Sequence, residues 1–120
     1  MARILTVDDS PSIRLLVTAT LQRSGHEMQQ AASGIEALEL AKKAAFQVII
    51  SDLNMPEMDG ITLVRALRKL ANYKFTPLLM LTTEMDPEKK KQAKDAGATG
   101  WLVKPFNPEQ LVATVARVLV

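Results

Sequence analysis

Ile4-Leu5-Thr6-Val7-Asp8-Asp9-Ser10-Pro11 is the stretch on which the reading of this chain turns. A short apolar run that ends in carboxylates and passes into a capping serine and a proline describes a buried strand leading straight into a helix. Val48-Ile49-Ile50-Ser51-Asp52 repeats the strand, Leu78-Leu79-Met80-Leu81 ends in Thr82, and Trp101-Leu102-Val103 ends in Lys104-Pro105. Four strand ends therefore carry Asp-Asp, Asp, Thr and Lys. Carboxylates brought to one sheet edge repel one another and need a partner. A divalent cation is the simplest remedy, and oxygen-only ligands point to a hard one such as Mg2+.

Alternation of strand and helix runs through the whole chain. Strands are expected near 3–7, 27–31, 47–51, 78–82 and 100–104. Helical spacing lies between them: Ile13, Leu16, Val17, Thr20 and Leu21; Ile35, Leu38, Ala41 and Ala45; Leu63, Val64, Leu67 and Leu70; and finally Leu111, Val112, Val115, Val118 and Leu119. Ser10-Pro11, Asp86-Pro87 and Asn107-Pro108 each place a capping side chain before a proline, and Ser33 with Glu36 has capping-box spacing. Gly25 and Gly97 suit left-handed helix stops. The fourth helix, about 87–96, has only Ala93 and Ala96 as apolar anchors and is expected to pack least firmly. Strict alternation with largely apolar strands implies an α/β fold, a parallel sheet covered by helices through right-handed crossovers. Ligands in such sheets bind beyond the carboxyl ends of the strands, where strand order reverses.

Composition narrows the function classes. The 120 residues fit one domain, and 48% hydrophobic with 23% charged residues is the balance of a soluble globular protein. No apolar run is long enough to cross a bilayer, so no membrane insertion is expected. The first residues enter a strand directly, leaving no room for a signal peptide. The absence of Cys excludes disulfides and thiol chemistry and fits a cytoplasmic location. A net charge of +2 is too small to argue for nucleic acid. Lys89-Lys90-Lys91 with Lys94 reads as a solvated helix face, or else as a docking patch for an acidic partner. His26, alone and without a second ligand at metal spacing, reads as a surface loop residue.

Taken singly, Asp8-Asp9-Ser10 is a helix cap, Met55-Pro56 and Asp59-Gly60 are turn chemistry, Thr82 is a strand terminus and Lys104-Pro105 is a stop signal. Taken together, Val7-Asp8-Asp9-Ser10, Ser51-Asp52-Leu53-Asn54-Met55-Pro56-Glu57-Met58-Asp59-Gly60, Leu81-Thr82-Thr83-Glu84 and Val103-Lys104-Pro105-Phe106 resemble the four signature segments of a two-component response-regulator receiver domain. Asn54, Thr82-Thr83-Glu84, Gly100-Trp101 and the point at which the chain ends are most similar to stand-alone chemotaxis regulators of the CheY type.

The resemblance implies a single flavodoxin-like, doubly wound (βα)5 sandwich over residues 1–120, with strand order 2-1-3-4-5 and no effector domain. It implies that Asp52 accepts a phosphoryl group from a phosphohistidine of a sensor histidine kinase; its carboxylate is ionised at neutral pH and needs no activating base. Asp8, Asp9 and Asp52, with the Asn54 backbone carbonyl, would hold Mg2+, for which Mn2+ could substitute. Lys104 and Thr82 would contact phosphoryl oxygens, and the Lys104–Pro105 bond would be cis. Thr82 and Trp101 would form the switch, reshaping the face made by the fourth helix, fifth strand and fifth helix. Asn54 and Glu84 would tune autodephosphorylation. The implied partners are the kinase, an activated-state target such as a flagellar motor switch protein, and a phosphatase; a monomer is expected.

Three other readings compete. A phosphate sink or an adaptor in another two-component pathway fits the same motifs. An Asp-nucleophile phosphatase would carry an Asp two residues after the nucleophile as general acid, but position 54 is Asn. A flavodoxin-like mononucleotide binder would not place Asp8-Asp9 against a phosphate.

Overall fold

Strand-end chemistry becomes sheet-edge geometry because all the strands run the same way. The computed structural model describes residues 2–119, in which β1 (Arg3–Val7), β2 (Glu27–Ala31), β3 (Val48–Ser51), β4 (Leu78–Thr82) and β5 (Gly100–Val103) form one parallel sheet. Its order is β2-β1-β3-β4-β5, as expected. The chain reverses its direction of travel between β1 and β3, so the Asp8–Asp9 and Asp52 ends lie side by side at the crevice.

Five helices cover the sheet: α1 (Pro11–Arg23), α2 (Gly34–Lys43), α3 (Gly60–Arg68), α4 (Pro87–Ala96) and α5 (Pro108–Val118). Alternation along each strand divides the core in two. Leu5, Val7, Ile49, Leu78 and Met80 point to the side of α2, α3 and α4, whereas Ile4, Val48, Ile50, Leu79, Leu81 and Leu102 point to α1 and α5. The edge strand β2, Glu-Met-Gln-Gln-Ala, is mostly exposed, an exception to the expected apolar strands that suits an edge position.

The expected caps form. Ser10, Ser33, Asp86 and Asn107 each accept a backbone N–H of the following helix, and Gly97 ends α4 at φ 115°. Glu36 reaches back to the Ala32 N–H at 2.6 Å, one residue before the position of a regular capping box. Of the two expected anchors of α4, Ala93 is buried and Ala96 is half-buried.

Several expectations are corrected. Leu16 on α1 is 56% exposed, while Thr18 is buried in its place. Ile35 is exposed and Ala45 lies beyond the end of α2, whose inner face is Ala37 and Ala41. Leu119 is also exposed. His26 is half-buried rather than a free surface group, and its Nδ1 accepts the Ala2 N–H at 3.1 Å. A short 3-10 turn, Ala71–Tyr73, was not expected. It buries Tyr73, whose hydroxyl stands 2.7 and 2.6 Å from the carbonyls of Ala41 and Ala44.

Candidate functional site

Asp52 immediately follows β3, its own N–H bonded to the Val7 carbonyl at 2.9 Å, so the ends of β1 and β3 are tied together at the crevice. Its side chain is nearly buried; Oδ1 accepts the Leu53 N–H at 2.7 Å and Oδ2 lies 3.3 Å from Lys104 Nζ. The β3–α3 loop is seated by Gly60, whose N–H donates to the Leu53 carbonyl at 2.7 Å. A Cβ at Gly60 would strike the Asp52 carbonyl and Met80, so no larger residue fits without moving the Asp52 segment.

Asp8 is fixed at each of its polar atoms. Its N–H donates to Ala31, Oδ1 accepts the Ser10 N–H at 2.9 Å, Oδ2 accepts from Lys104 at 2.7 Å, and its carbonyl accepts from Arg14 Nη1 at 2.6 Å. Asp9 is exposed and makes no side-chain hydrogen bond among the described residues. One ligand oxygen from each of Asp8, Asp9 and Asp52 lies within 4.8 Å of the others. The Asn54 carbonyl accepts no hydrogen bond among the described residues.

This donor set fits a hard divalent cation: it is all oxygen, largely preformed, and negatively charged even after Lys104 is counted, since three carboxylates face one ammonium. Lys104 is therefore placed differently from a group reserved for an incoming anion. Its ammonium bridges Asp8 and Asp52 and offsets part of the repulsion that the strand ends create. The peptide bond after it, to Pro105, is cis.

Thr82 is fully buried at the end of β4, where its carbonyl accepts the Lys104 N–H at 3.0 Å and its Oγ1 accepts the Glu84 N–H at 3.1 Å; among the described residues no hydrogen bond joins that hydroxyl to the side chain of Asp52 or Lys104. Glu84 in turn links two loops, accepting from Asn54 Nδ2 at 3.4 Å and from the Asp86 N–H at 3.2 Å. Trp101 pairs with Met80 across β4 and β5, on the sheet face that Thr82 shares two residues beyond Met80, about 7 Å further along β4. Half-buried, it lines a groove of about 420 Å3 with Ala93, Ala98, Lys90, Lys91 and Lys94. None of those lysines forms an ion pair among the described residues.

Two polar residues with defined partners were not singled out from the sequence. Arg14 holds the Asp8 carbonyl, and the available signal was a cation in the first turns of a helix, where the macrodipole disfavours one. Arg68 donates to the carbonyls of Gly97, Tyr73 and Thr76, tying α3 to the loop before β5, and burial lowers its pKa. No local pattern announced that role.

Comparison with known proteins agrees with the geometry. Residues 4–116 match the sequence profile of the response regulator receiver domain. The crystal structure of the chemotaxis protein CheY4 of Vibrio cholerae superposes with a TM-score of 0.95 at 61% identity, over 98% of each chain. Two curated relatives are 39% identical: the DNA-binding dual master transcriptional regulator RpaA of Synechocystis, over 99% of this chain, and the transcriptional regulatory protein SrrA of Staphylococcus aureus, over 97%. The chain spans about half the length of these curated relatives, 49% and 47%. Among the described residues no helix is long and apolar enough to cross a membrane.

Proposed function

This chain belongs to the response regulator receiver family, and from that premise we propose that it is switched by phosphorylation of Asp52. The observation that carries the reading is a nearly buried carboxylate beside two others and 3.3 Å from a lysine ammonium. An Asp52 oxygen attacks the phosphorus of a phosphohistidine on a sensor kinase; the P–N bond breaks, its electron pair returns to the imidazole, and an acyl phosphate forms. Lys104, already at Asp52 Oδ2, is suited to follow the added charge onto a phosphoryl oxygen. Thr82 accepts from Glu84 and keeps its own hydroxyl proton to donate to another. Asp8, Asp9, Asp52 and the Asn54 carbonyl would hold Mg2+ or, in its place, Mn2+, which when bound supplies charge neutralisation between the carboxylate and the incoming phosphoryl oxygens. Autodephosphorylation by water breaks the P–O bond so formed, and a role for Asn54 and Glu84 in tuning it is supported by their contact with each other, two residues after Asp52 and two after Thr82.

Output through the α4, β5 and α5 face is supported by the half-buried Trp101 and by the weak packing of α4. A role in chemotaxis or motility, with a flagellar switch protein as target and a phosphatase assisting, is supported by the full-length likeness to CheY4 of Vibrio cholerae. A cytoplasmic monomer completes the proposal.

Labelling by a radiophosphorylated kinase tests the chemistry. Asp52→Asn is expected to lose hydroxylamine-labile label, and undiminished label on the folded variant overturns the assignment. Capture of partners with and without beryllofluoride, an acyl-phosphate mimic, tests the pathway: a motor component retained only with the mimic is expected.

A further inference from the structure

Among the described residues the Asp8–Asp9 peptide unit of the acidic cluster is held by a single hydrogen bond. Backbone planarity makes the Asp8 carbonyl and the Asp9 N–H one rigid plate, so turning that plate swings the Asp9 carboxylate. The Ala31, Ser10 and Lys104 bonds act on the preceding peptide or on the Asp8 side chain. Among the described residues the only hydrogen bond on the plate itself is the one its carbonyl accepts from Arg14 Nη1, at 2.6 Å. Arg14 is braced in turn, its Nε donating to Gln30 Oε1 of β2 at 3.3 Å and its backbone N–H to the Ser10 carbonyl at 3.1 Å. Among the described residues Asp9 makes no side-chain hydrogen bond of its own to hold it.

From this arrangement, and resting on the reading of the cluster as a cation site, we infer that Arg14 is a positioning residue that sets the stance of Asp9 by clamping the Asp8–Asp9 peptide. Its charge works against the cation, while its geometry works for it. The two effects separate by ion, because Mg2+ demands a near-ideal octahedral shell whereas Ca2+ accepts irregular ones. Loss of a merely repulsive charge would tighten both ions together. Loss of the clamp weakens Mg2+ far more than Ca2+.

Calorimetric titration of the whole chain with Mg2+ and separately with Ca2+ tests this, using wild type, Arg14→Gln and Arg14→Lys, with folding checked by circular dichroism. Arg14→Gln is expected to lose about tenfold or more in Mg2+ affinity, the range of outer-sphere partners of metal ligands, with a smaller change for Ca2+. Arg14→Lys, which keeps the charge on a narrower and more mobile donor, is expected to fall between. Wild-type Mg2+ affinity in Arg14→Gln, or equal tightening of both ions, overturns the inference while leaving the cation site intact. If Arg14→Gln does not fold, an unchanged Mg2+ affinity in Arg14→Lys overturns it instead. A wild type that takes up no Mg2+ overturns the cation reading itself and the role of Arg14 with it.

Discussion

Lys104 stands between Asp8 and Asp52 with its side chain only 10% exposed, so the pair is desolvated on both sides and is unlike a surface salt bridge. Removing one partner of such a pair strands the other charges. Lys104→Met is accordingly expected to cost about 3 kcal/mol of stability in chelator-containing buffer, and an unfolding free energy from urea melts that changes by less than a tenth of that would contradict the pairing. His26 supplies a second case, with a pH dependence. Burial holds its pKa below the ordinary value, and its Nδ1 must be unprotonated to accept the Ala2 N–H. Below about pH 6.5 the unfolded chain binds a proton that the folded chain resists. Stability is therefore fully present above that pH and falls as the pH drops toward the depressed folded value. Urea melts between pH 7.5 and 5 are expected to show this loss in wild type and less of it in His26→Gln; parallel curves would refute it.

Helix by helix, the inner faces were legible where apolar residues alone decide them, as at Leu63, Val64 and Leu67 of α3, and misread where polarity is buried. An apolar pattern includes Leu16 on α1 and passes over Thr18, yet the residues that α1 buries are Val17, Thr18 and Leu21. Among the described residues the Thr18 hydroxyl has no hydrogen-bond partner, a cost that burial does not return. Thr18→Val, equal in shape, should stabilise the protein by about 1 kcal/mol; a destabilised thermal melt would show that the hydroxyl has a partner in solution. For β5 the prediction is optical. If Trp101 moves inward along its shared face with Thr82 on activation, acrylamide quenching should fall when beryllofluoride and Mg2+ are added, and fall less in Thr82→Ala. Equal quenching in both states, with ligand binding confirmed, would leave output to the helix surface alone.

Across the whole molecule, the strand ends were readable because each acidic, hydroxyl or basic residue follows an apolar run, and parallel strands carry such ends to one edge. The ties between loops were not readable, since Arg68 to Gly97 and Glu84 to Asn54 join residues 29 and 30 positions apart with no periodic signal. Net negative charge at the shared edge predicts that Mg2+ stabilises the fold by mass action, roughly 2.7 kcal/mol at about a hundredfold excess over its dissociation constant if the unfolded chain does not bind it. Identical denaturant midpoints with Mg2+ and with chelator would count against the site. The bond from Lys104 to Asp8 spans 96 residues, and β3 and β4 lie between the strands it joins. Closing so long a loop is entropically costly until the intervening strands are in register. During synthesis the acidic residues all emerge before the lysine that completes them. Under the proposed role, a chain cut short anywhere before Lys104 displays Asp52 without its ammonium, so an unfinished copy makes a poor competitor for the kinase and the pathway's output tracks only polypeptides that have been completed.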